Sequence, residues 1–261
     1  MIRVGIGGWV YEPWRGVFYP KGLAQARELA YASSHVTSIE INGTFYGTQK
    51  PESFRRWAEE TPDDFVFSLK GPRYATHRRV LAEAGSSIER FFGSGVLELK
   101  SKLGPVLWQM PPTKAFDEAD FATFLALLPS RLEGRAIRHA VEVRHQSFVS
   151  PAFVALLRKH SVAVALIDSD KHPLFADVTG DFLYARLQRT SEKVTTGYAP
   201  KALDTWAARA RAWADGRAPD DLPTIAPSER AKGKRDVFIY MISGAKARAP
   251  AAAMALLERL K

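Results

Sequence analysis

The sequence predicts one closed barrel of eight parallel strands, each followed by a helix, and three observations carry that prediction. Eight short runs rich in β-branched and aromatic residues recur along the 261 residues. Most are followed by segments whose apolar residues fall at three- and four-residue spacing, the helical period. At this length, alternating strand and helix units close most economically as a TIM-type (β/α)8 barrel. An open, doubly wound sheet would usually bring a Gly-rich phosphate turn after its first strand. The stretch "GIGGWV" (5–10) is no GxGxxG, because Val10 stands where the last glycine should be.

The elements follow in order. "RVGIG" (3–7) leads through an aromatic loop to a helical pattern over 23–31, and "SIEIN" (38–42) leads to one over 51–58 with Pro51 in its first turn. "FVFSLK" (65–70) precedes a helix over 88–99, and "PVLWQM" (105–110) one over 121–128. "HAVEV" (139–143) is followed by Ser150, a ready N-cap, and a helix over 151–157. After "VAVALI" (162–167), the stretch 169–181 offers at most a single helical turn. "FLYARL" (182–187) precedes a helix over 203–213, and "VFIYM" (237–241) one over 252–260. The prolines and charges of 215–236 read as a mobile surface excursion before the last strand. No repeat or linker divides the chain, so 1–261 is expected to be a single domain.

With 46% apolar and 25% charged residues, the chain can bury one large core and has no disordered or fibrous composition. No apolar run approaches the ~20 residues that span a bilayer, and the start lacks the apolar stretch of a secretory signal. The absence of cysteine excludes disulfides, thiolate metal ligands and a Cys nucleophile. A cytoplasmic location without membrane partners is expected. The 37 Lys and Arg against 28 Asp and Glu give a formal charge of +9, which favours an anionic partner such as a phosphorylated metabolite or nucleic acid. The one local basic concentration, "SERAKGKRD" (228–236), has no interleaved aromatics for base stacking.

Chemistry is expected where strands end, because the C-terminal face of such a barrel carries the active site. Those ends supply Trp9, Glu40, Asn42, Lys70, Gln109, Glu142, Arg144, His145, Asp168 and Arg186. Strand side chains alternate, so Glu40 shares a face with Asn42 and Glu142 with Arg144. Inward-pointing, these pairs would crown the mouth, with Glu142 holding the Arg144 guanidinium for a carboxylate or phosphate. His77 follows the third strand on the same face. Trp9, Tyr11, Trp14, Phe45 and Tyr46 crowd the first two loops and would wall a planar or sugar-like ligand, whereas Trp57, Trp206 and Trp213 read as helix packing. Glu40, Glu142, Asp168, His77 and His145 resemble a divalent-metal set, but the neighbouring cations oppose one and no HxH, HExxH or DxD spacing occurs, so no metal or other cofactor is expected.

Taken together, "GIGGWVYEPWRGVFYP", "SIEINGTFYGTQKPESFRRWAEETPDDFVFSLK", "TH" at 76–77, "LWQMPP" and "AVEVRHQSF" closely resemble the DUF72 (YecE-like) family, in order and over nearly the whole chain. The resemblance implies a TIM barrel with a polar pocket at its C-terminal end, and no particular reaction. It places motif positions on Gly8, Trp9, Tyr11, Trp14, Glu40, Asn42, Phe45, Tyr46, Lys70, Thr76, His77, Gln109, Pro111, Glu142, Arg144, His145 and Arg186. Two stretches depart from it. Arg186-Leu187-Gln188-Arg189 replaces an R-L-H-G run, and Met241 to Lys246 lacks the Phe-Asn-Asn ending of many members.

The expected function is an acid–base enzyme, a hydrolase, lyase or isomerase, acting on a small anionic or carbohydrate-like substrate. Glu142 or Glu40 would be the base, and His77 or His145 a proton shuttle. Lys70, Arg144 and Arg186 would clamp the anion, while Asn42, Gln109, Asp168, Trp9, Tyr11 and Tyr46 complete the binding set. Two alternatives stand beside it: a nucleic-acid-binding or metal-dependent phosphodiester-cleaving protein, and a metabolite-binding barrel without catalysis.

Overall fold

The computed structural model describes residues 1–227 and 233–261. All eight predicted strands form: β1 (Ile2–Gly7), β2 (Ser38–Ile41), β3 (Val66–Lys70), β4 (Leu103–Gln109), β5 (His139–Glu142), β6 (Ala163–Asp168), β7 (Phe182–Leu187) and β8 (Asp236–Met241). Each pairs in parallel with its sequence neighbours, and β1 pairs with β8 to close the barrel.

The longer helices among the described residues are α1 (Glu28–Ser33), α2 (Pro51–Glu59), α3 (Gly85–Phe92), α4 (Glu118–Leu127), α5 (Pro151–Lys159), α6 (Pro200–Ala214) and α7 (Ala249–Leu260). Ser150 caps α5, its hydroxyl accepting from the Ala152 amide. The alternate strand residues Val4, Ile6, Ile39, Phe67, Leu69, Val106 and Trp108 join Phe54, Phe91, Phe121, Phe153 and Trp206 of the helices in the main apolar core. Each large apolar side chain buried there contributes about 1.5–3 kcal/mol, so this outer ring supplies most of the stability. The barrel interior is smaller and partly polar, with Leu107, Ala140, Ala165, Phe182 and Phe238 beside Tyr184 and Tyr240. It tolerates polarity because the hydroxyls are paired: Ser38 with Tyr240 at 2.8 Å and Ser68 with Tyr184 at 2.7 Å.

Four stretches differ from the sequence reading or refine it. The helix expected over 88–99 ends at Phe92, because Gly95 takes a φ of +99° and packs where a Cβ would lie 2.7 Å from Pro51. An unforeseen two-stranded hairpin, Arg131–Leu132 with Arg135–Ala136, turns on Glu133 and Gly134, both at positive φ as a tight hairpin turn demands. No helix forms in 169–181, where Phe175 and Ala176 are buried in the outer core instead.

The excursion expected to be mobile makes contacts with the stretch after β6 over 215–227. Leu222 is buried, the Ala176 amide donates to Pro223, and the Asp177 carboxylate accepts from the Ile225 and Ala226 amides at 2.8 and 2.9 Å. Its residues 228–232 lie outside the described part. Because the segment leads into β8, it sits at the N-terminal end of the barrel, away from the mouth. No helix among the described residues is long and apolar enough to cross a membrane.

Candidate functional site

The inward parity of the strands sets the chemistry of the mouth. In register, Gly7 lies beside Glu40, Lys70 beside Leu107, and Gln109 beside Glu142. Arg186 lies beside Ile167 on one side and Tyr240 on the other. Ser38, Ser68, Ala140 and Tyr184 occupy the same parity two residues deeper. The last inward layer is therefore the polar one.

Arg186 organises that layer. It forms a bidentate pair with Glu40, Nε and Nη2 each 3.0 Å from a carboxylate oxygen, and its Nη1 donates to Glu142. Tyr184 donates to Glu40 at 2.7 Å. Glu142 accepts from Gln109 at 2.8 Å and from Arg144 Nε at 2.7 Å. Lys70 Nζ in turn donates to Gln109 at 3.1 Å and stands 3.9 Å from the centre of the Phe45 ring. Glu40 and Glu142 are both wholly inaccessible, so their desolvation is offset only by these partners.

The protonation states follow from the packing. Burial alone would raise the Glu142 carboxyl, but the Arg186 and Arg144 guanidinium groups outweigh it and hold it down at about 2. Arg186 is raised above its ordinary value, burial being overcome by Glu142 and Glu40. Lys70 shifts the other way: burial first and the Arg186 charge second bring its ammonium down to about 8. Among the described residues no carboxylate forms an ion pair with Lys70.

Above this layer opens a cavity of about 630 Å³, within the range of small-molecule sites. Its walls are Trp9, Trp14, Trp57, Tyr46 and Ile242; its polar lining includes Asn42, Gln49, Lys70, Gln109, Arg144, Arg186 and Lys246. Trp9 and Trp57 meet edge to face at 5.2 Å. Gly8, at φ +70°, turns the chain out of β1, its amide donating to the Glu40 backbone carbonyl at 2.8 Å. Among the described residues no carboxylate lines this cavity. Glu40 and Glu142 lie beneath it.

The sequence-predicted residues thus divide. The structure brings Glu40, Asn42, Lys70, Gln109, Glu142, Arg144, Arg186, Trp9 and Tyr46 together at the mouth. Every carboxylate oxygen of Glu40 and Glu142 accepts at least one hydrogen bond within this layer. Asp168 is not in the cluster: it falls on the outward parity beside Leu187, accepts from Tyr198 at 3.0 Å and pairs with Arg189. His145 turns away from the cavity to cap the next turn, its Nδ1 accepting from the Ser147 amide at 3.2 Å. Tyr11 stacks edge-on against Trp14 behind the lining and carries Lys246 at 4.4 Å over its ring. His77 packs on the far side of Phe45, and burial lowers its pKa.

Two contributors were not foreseen: Trp57 is a wall as well as packing, and Lys246 borders the mouth. His172 has a buried Nδ1 with no hydrogen-bond partner among the described residues. Burial first and the Arg144 charge second lower the His172 pKa. Among the described residues, no group of three His, Cys, Asp or Glu side chains gathers to hold a metal ion.

The family model for DUF72, described as a protein of unknown function, matches residues 3–261. The chain belongs to the DUF72 family. It is 30% identical over 148 residues to the UPF0759 protein YecE of Escherichia coli K12, an alignment covering 57% of this chain and 50% of that protein. With the UPF0759 protein YunF of Bacillus subtilis 168 it shares 30% identity over 159 residues, 59% of this chain and 54% of the other. The chain spans about half the length of the curated relatives it matches. A crystal structure of a DUF72 family protein from Thermotoga maritima superposes with a TM-score of 0.76 at 22% identity, covering 100% of this chain and 99% of that one, a likeness of fold.

The DUF72 motifs now have physical content. In E-x-N-x-T-F-Y, Glu40 anchors Arg186, Asn42 lines the cavity, Thr44 donates to the Lys70 carbonyl at 2.7 Å, Phe45 supports the Lys70 ammonium and Tyr46 stands at the rim. In V-E-x-R-H, Glu142 is the shared acceptor and Arg144 the cation it holds. Of the departures from the DUF72 pattern, Arg189 pairs with Asp168 and Asp170, while Ile242, Ser243 and Lys246 border the cavity itself.

Proposed function

We propose that the mouth binds a small anionic, oxygen-rich or carbohydrate-like metabolite and performs acid–base chemistry on it. The observation that carries this reading is the composition of the lining: Lys70, Arg144, Arg186 and Lys246 border the cavity, and both carboxylates of the layer are spent beneath it on Arg186. Arg144 is fixed through Nε, and the described residues give its two Nη groups no hydrogen-bond partner. They form a fork for a carboxylate or phosphate. Asn42 and Gln49 add amides for substrate hydroxyls, and the indoles of Trp9 and Trp57 supply flat walls.

The proton-handling role moves from Glu142 to Lys70. A carboxyl held at about 2 is a feeble base, whereas an ammonium brought down to about 8 exchanges its proton near neutral pH. Sugar phosphates and small hydroxy acids, each compared with its neutral counterpart, test the reading by thermal shift and calorimetric titration. At least one anion should stabilise the protein where its neutral counterpart does not. Arg144→Gln should weaken that anion about 10- to 100-fold, the worth of a charged hydrogen bond. Equal stabilisation by neutral polyols, or unchanged affinity in the variant, would contradict it.

The nucleic-acid alternative rests on a different place. Lys234 and Arg235, with Arg138 and His160, border a second cavity of about 900 Å³ at the N-terminal end of the barrel; Lys232 lies outside the described residues. It predicts binding that weakens steeply with salt and is reduced by neutralising Lys234 and Arg235.

A further inference from the structure

We propose that Lys70 is a covalent nucleophile, and that the metabolite carries an aldehyde or ketone beside its anionic group. This deepens the reading of the mouth as an anion site and rests on it. Three features of the geometry point to a reacting amine. Lys70 ends an inward strand position and lines the cavity while the residue is only 5% exposed. Its only hydrogen-bond partner among the described residues is a neutral amide oxygen, that of Gln109. The carboxylates that would ordinarily neutralise it are both taken by Arg186. A lysine in a desolvated pocket beside another cation is the environment that frees an amine lone pair near neutral pH, and the ammonium is accordingly lowered to about 8.

The chemistry balances without a co-reactant. The neutral Lys70 Nζ attacks the carbonyl carbon, a C–N bond forms, and the carbonyl π electrons move to oxygen. The two amine hydrogens leave with that oxygen as water as the C=N bond forms, and the imine nitrogen then takes one proton from solvent. The iminium draws electrons from the adjacent carbon, which eases loss of a proton or carboxylate there. Arg144, held by Glu142, would fix the anionic group so that the carbonyl meets Nζ.

Reductive trapping tests this with glyoxylate, the smallest anionic aldehyde acid, and sodium borohydride. Adducts are located by peptide mapping, and glycolate, which has the anion but no carbonyl, serves as competitor. One dominant carboxymethyl adduct on Lys70 is expected, forming at least tenfold faster than on surface lysines. Its rate should climb between pH 7 and 9 and then level, while surface lysines keep accelerating. Lys70→Arg and Lys70→Met should remove that adduct and leave the surface pattern as it was. If glycolate stabilises the protein but Lys70 is trapped no faster than surface lysines, the covalent role is wrong and the anion site stands. If glycolate neither stabilises the protein nor slows trapping, and Lys70 stays unmodified, both readings fall. Because the wild-type map alone locates the adduct, the outcome does not depend on either variant folding.

Discussion

Replacing Arg186 by methionine is expected to cost the fold about 3–5 kcal/mol, the price of leaving buried charge without its partner. Arg186 supplies both the bidentate pair to Glu40 and a donor to Glu142, and all three side chains are almost completely inaccessible. Without it, Glu40 keeps only Tyr184 as a side-chain donor, while Glu142 keeps Gln109 and Arg144. Methionine fills much of the volume, so the loss is electrostatic rather than a cavity. Adding Glu40→Gln and Glu142→Gln to the variant should recover most of the stability, since neither buried carboxylate is then left without its Arg186 partner. Urea unfolding of the single and triple variants decides the matter. A loss below about 1 kcal/mol in the single variant would mean that water or rearrangement already compensates these carboxylates.

Acid should unfold the barrel earlier than its composition suggests, and Glu142 carries much of the effect. Its folded carboxyl sits at about 2 against an ordinary 4.5. The folded value is the lower one, so the stabilisation is fully present above pH 4.5 and is lost as pH falls toward 2. Integrated over that window it amounts to roughly 3 kcal/mol, of which about 2 is gone by pH 3. Other carboxylates titrate in the same range, so the informative quantity is the difference from Glu142→Gln. Unfolding free energies at pH 6 and pH 3 should fall less in the variant than in the wild type by about that amount. Parallel pH slopes in the two proteins would show that Glu142 titrates normally and that the guanidinium groups do not hold it.

The barrel was legible in the sequence because its signals are local and redundant. Eight β-rich runs and the helical spacing between them survive any uncertainty at individual boundaries, and strand-end polarity in "SIEIN", "FVFSLK" and "AVEVRH" marked the mouth. What could not be read there depends on parity or on what neighbours do. Asp168 ends its strand as Glu142 does, yet it lies one residue off the inward set and meets Arg189 and Tyr198 of the loop after β7. The expected base, Glu142, was correctly placed in the layer, but a sequence cannot show that Arg186 would consume both carboxylates and leave Lys70 without one. Lys246 belonged to a stretch already marked as departing from the family pattern, and its place just after the last strand was the signal for a rim residue. Trp57 has helical spacing, and nothing in that spacing distinguishes a packing indole from one that also faces a cavity.

The central claim is that the mouth is an anion site over a carboxylate layer neutralised from within. Selenate soaked into crystals of the protein tests it most directly, since selenium scatters anomalously and the ion mimics phosphate or sulfate. The account predicts an anomalous peak inside the cavity in contact with Arg144 and Lys70, with Arg186 still bound to Glu40 and Glu142. Selenate found only on the outer surface, or a mouth in which Glu40 or Glu142 has turned into the cavity in place of an anion, would contradict it.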